Sequence, residues 1–241
     1  MIAASSVRPD FSQFGPIGLV VIQSTSLCNL DCSYCYLPDR QKKRVFDLDL
    51  IPLLVERIFE SPYAGPEISL VWHAGEPLTL PTNWYDKATT LINQSLQRFG
   101  AENLEIDQHV QTNATLINND WCDCFRRNQI VVGISVDGPE DIHDAHRRFR
   151  NGRGSHAMAM RGIEALHRNQ VPFHCISVIT ADAMEQPERM YRFYRDNGIN
   201  DVGFNVEEKE GINTSSSMAC LLYTSDAADE GLGVDLGGRR I

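Results

Sequence analysis

Six short apolar runs, each parted from the next by a longer polar stretch, set the strongest limit on how this chain can fold. They are IGLVVIQ at 17–23, ISLVWH at 68–73, LEIDQHVQ at 104–111, IVVGISV at 130–136, VPFHCISVI at 171–179 and VGFNV at 202–206. Their length and β-branched content read as strands. The stretches between them carry apolar residues at helical spacing. Trp84, Ala88, Leu91, Ile92 and Phe99 form one stripe that stops at Gly100, and Ile117, Trp121, Cys124 and Phe125 form another. A third helix opens with Pro187 in its first turn and ends at Gly198. Strands alternating with helices give a parallel α/β sheet. The polar motifs all follow the C-terminal ends of strands, where a barrel gathers its active-site loops, so a partial (βα)6 TIM-like barrel is expected rather than a doubly wound sheet.

Composition narrows the partners. The 241 residues carry a formal charge of −10, which excludes a general nucleic-acid binder. The first 18 residues lack the basic head and apolar run of a secretory signal, and no apolar stretch is long enough to span a membrane. A cytoplasmic protein is expected, so its seven cysteines read as thiols or metal ligands rather than disulfides.

Three of those cysteines, Cys28, Cys32 and Cys35, fall within SLCNLDCSYCYLPDRQ after the first strand. Three closely spaced thiolates can hold three corners of an iron–sulfur cube. A structural zinc site wants four ligands, commonly as two separated pairs, and a redox Cys-x-x-Cys pair would leave Cys28 idle. Cys124 and Cys175 sit in apolar patterns and read as core, while Cys122 has no evident role. With three ligands on a four-iron cluster, one iron stays open to bind a small molecule.

The stretch CNLDCSYC resembles the CxxxCxxC signature of the radical S-adenosylmethionine (radical SAM) enzymes, including an aromatic residue, Tyr34, before the third cysteine. The resemblance implies a [4Fe–4S] cluster on Cys28, Cys32 and Cys35. Its open iron would be chelated by S-adenosylmethionine, which the cluster cleaves to a 5′-deoxyadenosyl radical. WHAGEPLTL is similar to the family's Gly-Gly-Glu-Pro motif, which holds the methionine ammonium. Ala74 takes a glycine's place there, Gly75 permits close approach, Glu76 offers a carboxylate and Pro77 stiffens the turn. The bland reading is a strand-to-helix turn with a solvated glutamate. QTNATL resembles the third-strand loop of maturase-type members, which makes Asn113 either a cofactor contact or a turn former. In SVDGPEDIHDAHRR the resemblance puts Ser135 on the ribose and Arg147 on the carboxylate of S-adenosylmethionine. Asp137 is left as a local hydrogen-bond partner or an Asx turn. His143 and His146 are expected at the surface or in a substrate groove, and Glu207 and Glu208 at the mouth of the barrel or at an exposed helix start. No side chain is assigned as a catalytic acid or base.

Taken together these motifs resemble the peptide- and protein-modifying branch. The nearest likeness is to maturases that crosslink glycine-rich precursor peptides, followed by anaerobic sulfatase maturases that form formylglycine. A precursor peptide or protein and an electron donor such as flavodoxin or ferredoxin are the implied partners. A non-catalytic zinc-binding module is the alternative from another class. The expected organisation is an N-terminal arm over 1–15, a core domain over 16–211 and a disordered tail over 212–241. From 220 the tail resembles a translated sequencing adaptor, and the cysteine-rich SPASM domain of this branch is expected to be missing.

Overall fold

The computed structural model describes residues 16–101 and 103–218. Six strands are joined in one sheet whose order follows the chain: β1 (Ile17–Ile22), β2 (Ala64–Trp72), β3 (Glu105–Thr112), β4 (Val131–Ser135), β5 (Phe173–Ile179) and β6 (Val202–Val206). The helices are α1 (Ile51–Phe59), α2 (Thr82–Arg98), α3 (Asn119–Arg127), α4 (Glu140–His146), α5 (His156–Arg168), α6 (Ala181–Met184) and α7 (Pro187–Asp196). Chain-ordered strands with intervening helices are the arrangement expected of a partial (βα)6 barrel. The expected N-terminal arm and the tail from 219 lie outside the described residues.

Two compact units divide the chain. One takes the residues up to Asn29, Asp39–Ser135 and Ala157–His174; the other takes Leu30–Pro38, Val136–His156 and the chain from Cys175. In the first, β1 to β4 pair in parallel, with Val21 opposite Val71, Val71 opposite His109 and His109 opposite Val131. The period of two sends alternate side chains to opposite faces. Ile68, Leu70 and Trp72 of β2, and Gln108, Val110 and Thr112 of β3, are therefore the buried set. Under α2 the one buried amide is satisfied: Trp72 Nε1 donates to Gln108 Oε1 at 3.2 Å, and Gln108 Nε2 donates to Thr89 Oγ1 at 3.0 Å. Trp72, Trp84, Tyr85 and Trp121 stack edge to face at centroid distances of 4.9–5.9 Å, which favours ring quadrupoles over flat stacking. In the second unit β5 and β6 pair in parallel from Cys175–Val202 to Ile179–Val206, and α7 buries Met190 and Tyr194.

Four helix ends close in the same way. The second residue past the helix takes a left-handed backbone, and the next amide reaches back five residues: Ala101 to Leu96, Ile130 to Phe125, Val171 to Leu166 and Ile199 to Tyr194. Gly100 and Gly198 supply two of the left-handed positions, as expected. Gln129 and Gln170 supply the others. The amides of Ile130 and Val171 are thereby committed to helix ends. Accordingly β4 starts at Val131, and β5 starts at Phe173, after Pro172, which has no amide to offer.

Candidate functional site

In the first unit the HAGEP turn is built around an enforced backbone shape. Ala74 and Gly75 both have positive φ, 70° and 69°. Gly75 is required, because a Cβ there would overlap the carbonyl oxygen of Thr25. Ala74 is an L-residue held where its Cβ is disfavoured. The Glu76 amide donates to Leu27 O at 2.8 Å, fixing this turn against the start of the cysteine loop, and Cys28 N donates to Arg40 O at 2.9 Å.

Glu76 is not solvated. It is 1% exposed, and its carboxylate accepts hydrogen bonds from neighbouring turns. Oε1 accepts from Leu78 N at 3.0 Å and Thr112 Oγ1 at 2.6 Å, and Oε2 accepts from Asn113 N at 2.8 Å. The side chain therefore staples the turn after β2 to the loop after β3. Asn113 is equally committed. Its Nδ2 donates to Asn29 Oδ1 at 2.8 Å, and its Oδ1 accepts from Thr115 N and Oγ1, the latter at 2.6 Å. Asn29 in turn donates to Thr115 Oγ1 at 2.9 Å, so the residue following Cys28 is held by the same cluster. Ser135 ends β4, and its Oγ accepts from Gln111 Nε2 at 2.8 Å.

The second unit holds the rest of the cysteine loop. Asp31 N donates to Arg148 O at 2.7 Å and Ser33 N to His146 O at 3.0 Å, so residues 31–33 run along 146–148. Cys35 N donates to Cys32 O at 3.2 Å and closes a turn that presents Tyr34. The Tyr34 hydroxyl donates to Asp137 Oδ2, which also accepts from Arg147 Nε at 2.8 Å. The Arg147 guanidinium lies over the Tyr34 ring, 5.6 Å from its centroid, within cation–π range. Asp137 is 2% exposed. Burial opposes its ionisation, but the Arg147 guanidinium holds the carboxyl below the usual carboxylate range. Burial also opposes the charge on Arg147, and Asp137 overrides it, keeping the guanidinium protonated.

His143, expected at the surface or in a substrate groove, is not at the surface. It is 1% exposed on α4, where Asp137 N donates to its Nδ1 at 3.2 Å and its Nε2 lies 3.0 Å from Ser155 Oγ. Burial takes its pKa down to about 3. His146 is half-buried, with Nδ1 2.8 Å from Ser33 Oγ. No helix follows β6 among the described residues. Glu207 is buried there, and its Oε2 accepts from Ser217 N at 2.7 Å; residues 212–218, read as tail, include this contact and the buried Met218.

The described cysteines fall into two sets. None of the six is in a disulfide; Cys28, Cys32 and Cys35 are half-buried, whereas Cys122, Cys124 and Cys175 are buried. Burial pushes the thiols of Cys124 and Cys175 up to about 11 and about 12, and raises that of Cys122, which makes all three poor thiolate ligands. Among the described residues no three His, Cys, Asp or Glu side chains are gathered as a ready-made metal-ion site. The loop nonetheless offers three thiols outside any disulfide, the donor set that an iron–sulfur cluster takes. Asp137, Thr112, Asn29 and Gln111 complete the arrangement without having been singled out as site residues. Only the polar character of the loops hinted at them.

Parallel βα topology with three closely spaced cysteines after β1 and polar turns after β2, β3 and β4 defines a class of cofactor-dependent enzyme domains. Residues 22–206 match the model of the radical SAM superfamily, and the chain belongs to that family, whose cofactors are a [4Fe–4S] cluster and S-adenosylmethionine. It is 47% identical over 209 residues to an uncharacterised protein of Synechocystis sp., covering 87% of this chain and 52% of that one. It is 32% identical over 199 residues to a serine-type anaerobic sulfatase-maturating enzyme of Bacteroides thetaiotaomicron, covering 80% of this chain and 45% of the relative. The chain thus spans about half the length of these curated relatives. A solved structure of anSMEcpe with bound AdoMet and the Cp18Cys peptide shares the fold, with a TM-score of 0.70 and 23% identity over 90% of this chain and 62% of that one. No helix among the described residues is long and apolar enough to cross a membrane.

Proposed function

We propose that this chain is the cofactor-binding part of an enzyme that takes a hydrogen atom from a side chain of a bound peptide or protein. The observation that carries the reading is the split among the cysteines: three accessible thiols on one loop, and three others held as buried thiols. Cys28, Cys32 and Cys35 would hold the cluster, and the bound cofactors would supply a 5′-deoxyadenosyl radical. The Ala74–Gly75 backbone would cradle the methionine end, with Glu76 and Pro77 fixing that turn and Asn113 fixing the loop beside it. Arg147 uses Nε on Asp137, which leaves its terminal nitrogens as a fork suited to a carboxylate. Ser135 would meet the ribose, and Tyr34 would pack beneath the guanidinium.

Anaerobic reconstitution tests this. Roughly four iron and four sulfide per chain are expected, with 5′-deoxyadenosine formed on reduction. Cys32→Ala should abolish cluster assembly, while Cys122→Ala leaves iron content unchanged. Stoichiometric zinc without cleavage of S-adenosylmethionine would instead support the non-catalytic module.

For the bond made, the sequence motifs favour crosslinking within a glycine-rich precursor peptide. The 32% identity to a serine-type sulfatase maturase supports formylglycine formation as a second reading. An aldehyde-reactive hydroxylamine separates them. It labels a formylglycine product and leaves a crosslinked peptide unlabelled. Flavodoxin or ferredoxin is the proposed electron donor.

A further inference from the structure

The second unit contains a chain of buried groups that none of these roles uses. Asp137 is attached at four points. Its carboxylate accepts from the Tyr34 hydroxyl, from Arg147 Nε at 2.8 Å and from Val178 N at 3.0 Å, and its own amide donates to His143 Nδ1 at 3.2 Å. That last bond fixes the histidine tautomer. A ring nitrogen that accepts from an amide carries no proton, so the proton is on Nε2, which lies 3.0 Å from Ser155 Oγ. Ser155 Oγ donates to the Arg147 carbonyl at 2.7 Å and so receives the Nε2 proton as acceptor. One neutral imidazole thereby spans the backbone of Asp137 and, through Ser155, the backbone of Arg147. Asp144 braces the same turn, its Oδ1 accepting from Ser155 N at 2.8 Å and His156 N at 2.9 Å.

We propose that Asp137 and His143 are positioning residues that hold Arg147 and Tyr34 as one rigid body, so that the arginine's terminal nitrogens are aimed before the carboxylate of S-adenosylmethionine arrives. A long arginine side chain otherwise loses rotamer freedom when it binds. Here the ion pair, the ring beneath it and the imidazole behind it fix that geometry in advance. The inference rests on the reading of Arg147 as the carboxylate contact.

The test compares S-adenosylmethionine with its decarboxylated analogue, binding each by equilibrium dialysis to the cluster-reconstituted full chain. Arg147→Ala sets the arginine's share of the preference for the carboxylate, expected at about tenfold for a charge-assisted pair. Asp137→Asn should remove most of that share. His143→Leu should remove part of it, and His143→Asn, which keeps an acceptor near the Nδ1 position, should remove less. Ser155→Ala, a mild variant, should shift the preference in the same direction by a few-fold. If Arg147→Ala lowers the preference but Asp137→Asn and Ser155→Ala do not, the inference is overturned while the reading of Arg147 stands. If Arg147→Ala leaves the preference unchanged, the reading itself fails. Equal weakening of both ligands in the Asp137 and Ser155 variants would mark the network as merely structural and also overturn the inference.

Discussion

Glu76 and Asp137 are both buried carboxylates beside the proposed cofactor-binding loops, and they are satisfied in different ways. Glu76 in the first unit accepts from the Thr112 hydroxyl at the end of β3 and from the backbone amides of Leu78 and Asn113. Asp137 in the second unit faces an arginine. The first arrangement fixes backbone: three donors in the turns after β2 and β3 converge on one acceptor, so those turns are pre-formed. The second fixes a side chain: a guanidinium is held by a charge that cannot leave it. Neutral donors lose little if the acceptor stays polar, whereas a buried charge tolerates no loss of its partner.

That contrast can be broken by substitution. Asp137→Ala leaves Arg147 uncompensated and should cost about 3–5 kcal/mol in urea denaturation. Adding Arg147→Met should recover most of it. Failure of that rescue would mean that the bonds to Tyr34 and Val178, rather than the charge, carry the stability. Glu76→Gln keeps the shape but turns one acceptor into a donor among donors, at about 1–3 kcal/mol. No second substitution at a single partner should repair it, because its donors are spread over Leu78, Thr112 and Asn113.

A pH series sharpens the comparison further. His143 titrates near 3 when folded and near 6.5 when unfolded, so the unfolded chain takes up the proton first. Its contribution is present above about pH 6.5 and drains away as pH falls toward 3, amounting to about 2 kcal/mol by pH 5. Asp137, held below its ordinary range, contributes fully at pH 7.5 and pH 5, and its contribution begins to be lost only as pH falls through the unfolded carboxylate value of about 4. Denaturation midpoints at pH 7.5 and pH 5 should therefore differ less in His143→Asn than in the wild type. The smallest effect is expected at Ala74, whose left-handed backbone should make Ala74→Gly stabilising by about 1 kcal/mol.

The strands were legible because apolar runs of strand length alternate with helical stripes, and each observed strand overlaps its expected run. The boundaries were less so. Gln129 and Gln170 stop helices in the left-handed conformation that sequence reasoning assigns to glycine, and this trimmed the starts of β4 and β5. Of the expected α2 stripe, Ala88 and Ile92 are buried while Trp84, Leu91 and Phe99 are only half-buried, and Tyr85 and Ser95 are buried members that the stripe did not include. Ser95 is satisfied there by donating to Leu91 O at 2.6 Å within its own helix, a bond no hydrophobicity pattern reveals. The burial of Cys124 and Cys175 followed from their apolar neighbours, whereas that of Cys122 did not. The fates of Glu76, Asn113 and His143 did not, because each is decided by partners distant in sequence. A glutamate in a Gly-Glu-Pro turn looks solvated until Thr112 and Asn113 are brought against it.

Gly162 on α5 carries a consequence for the loop after β3. A Cβ at that position would overlap the Ala114 carbonyl oxygen and press on Ile117 at 3.3 Å. The spacing between helix and loop is therefore set by a missing methyl group, and Gly162→Ala would act as a shim of about an ångström driven between them. Because Asn113 sits beside Ala114 and its amide is bound to Glu76, that shim would displace the staple without touching it. Position 162 is thus a mechanical adjustment for the turn after β2, reached through the outer layer of helices.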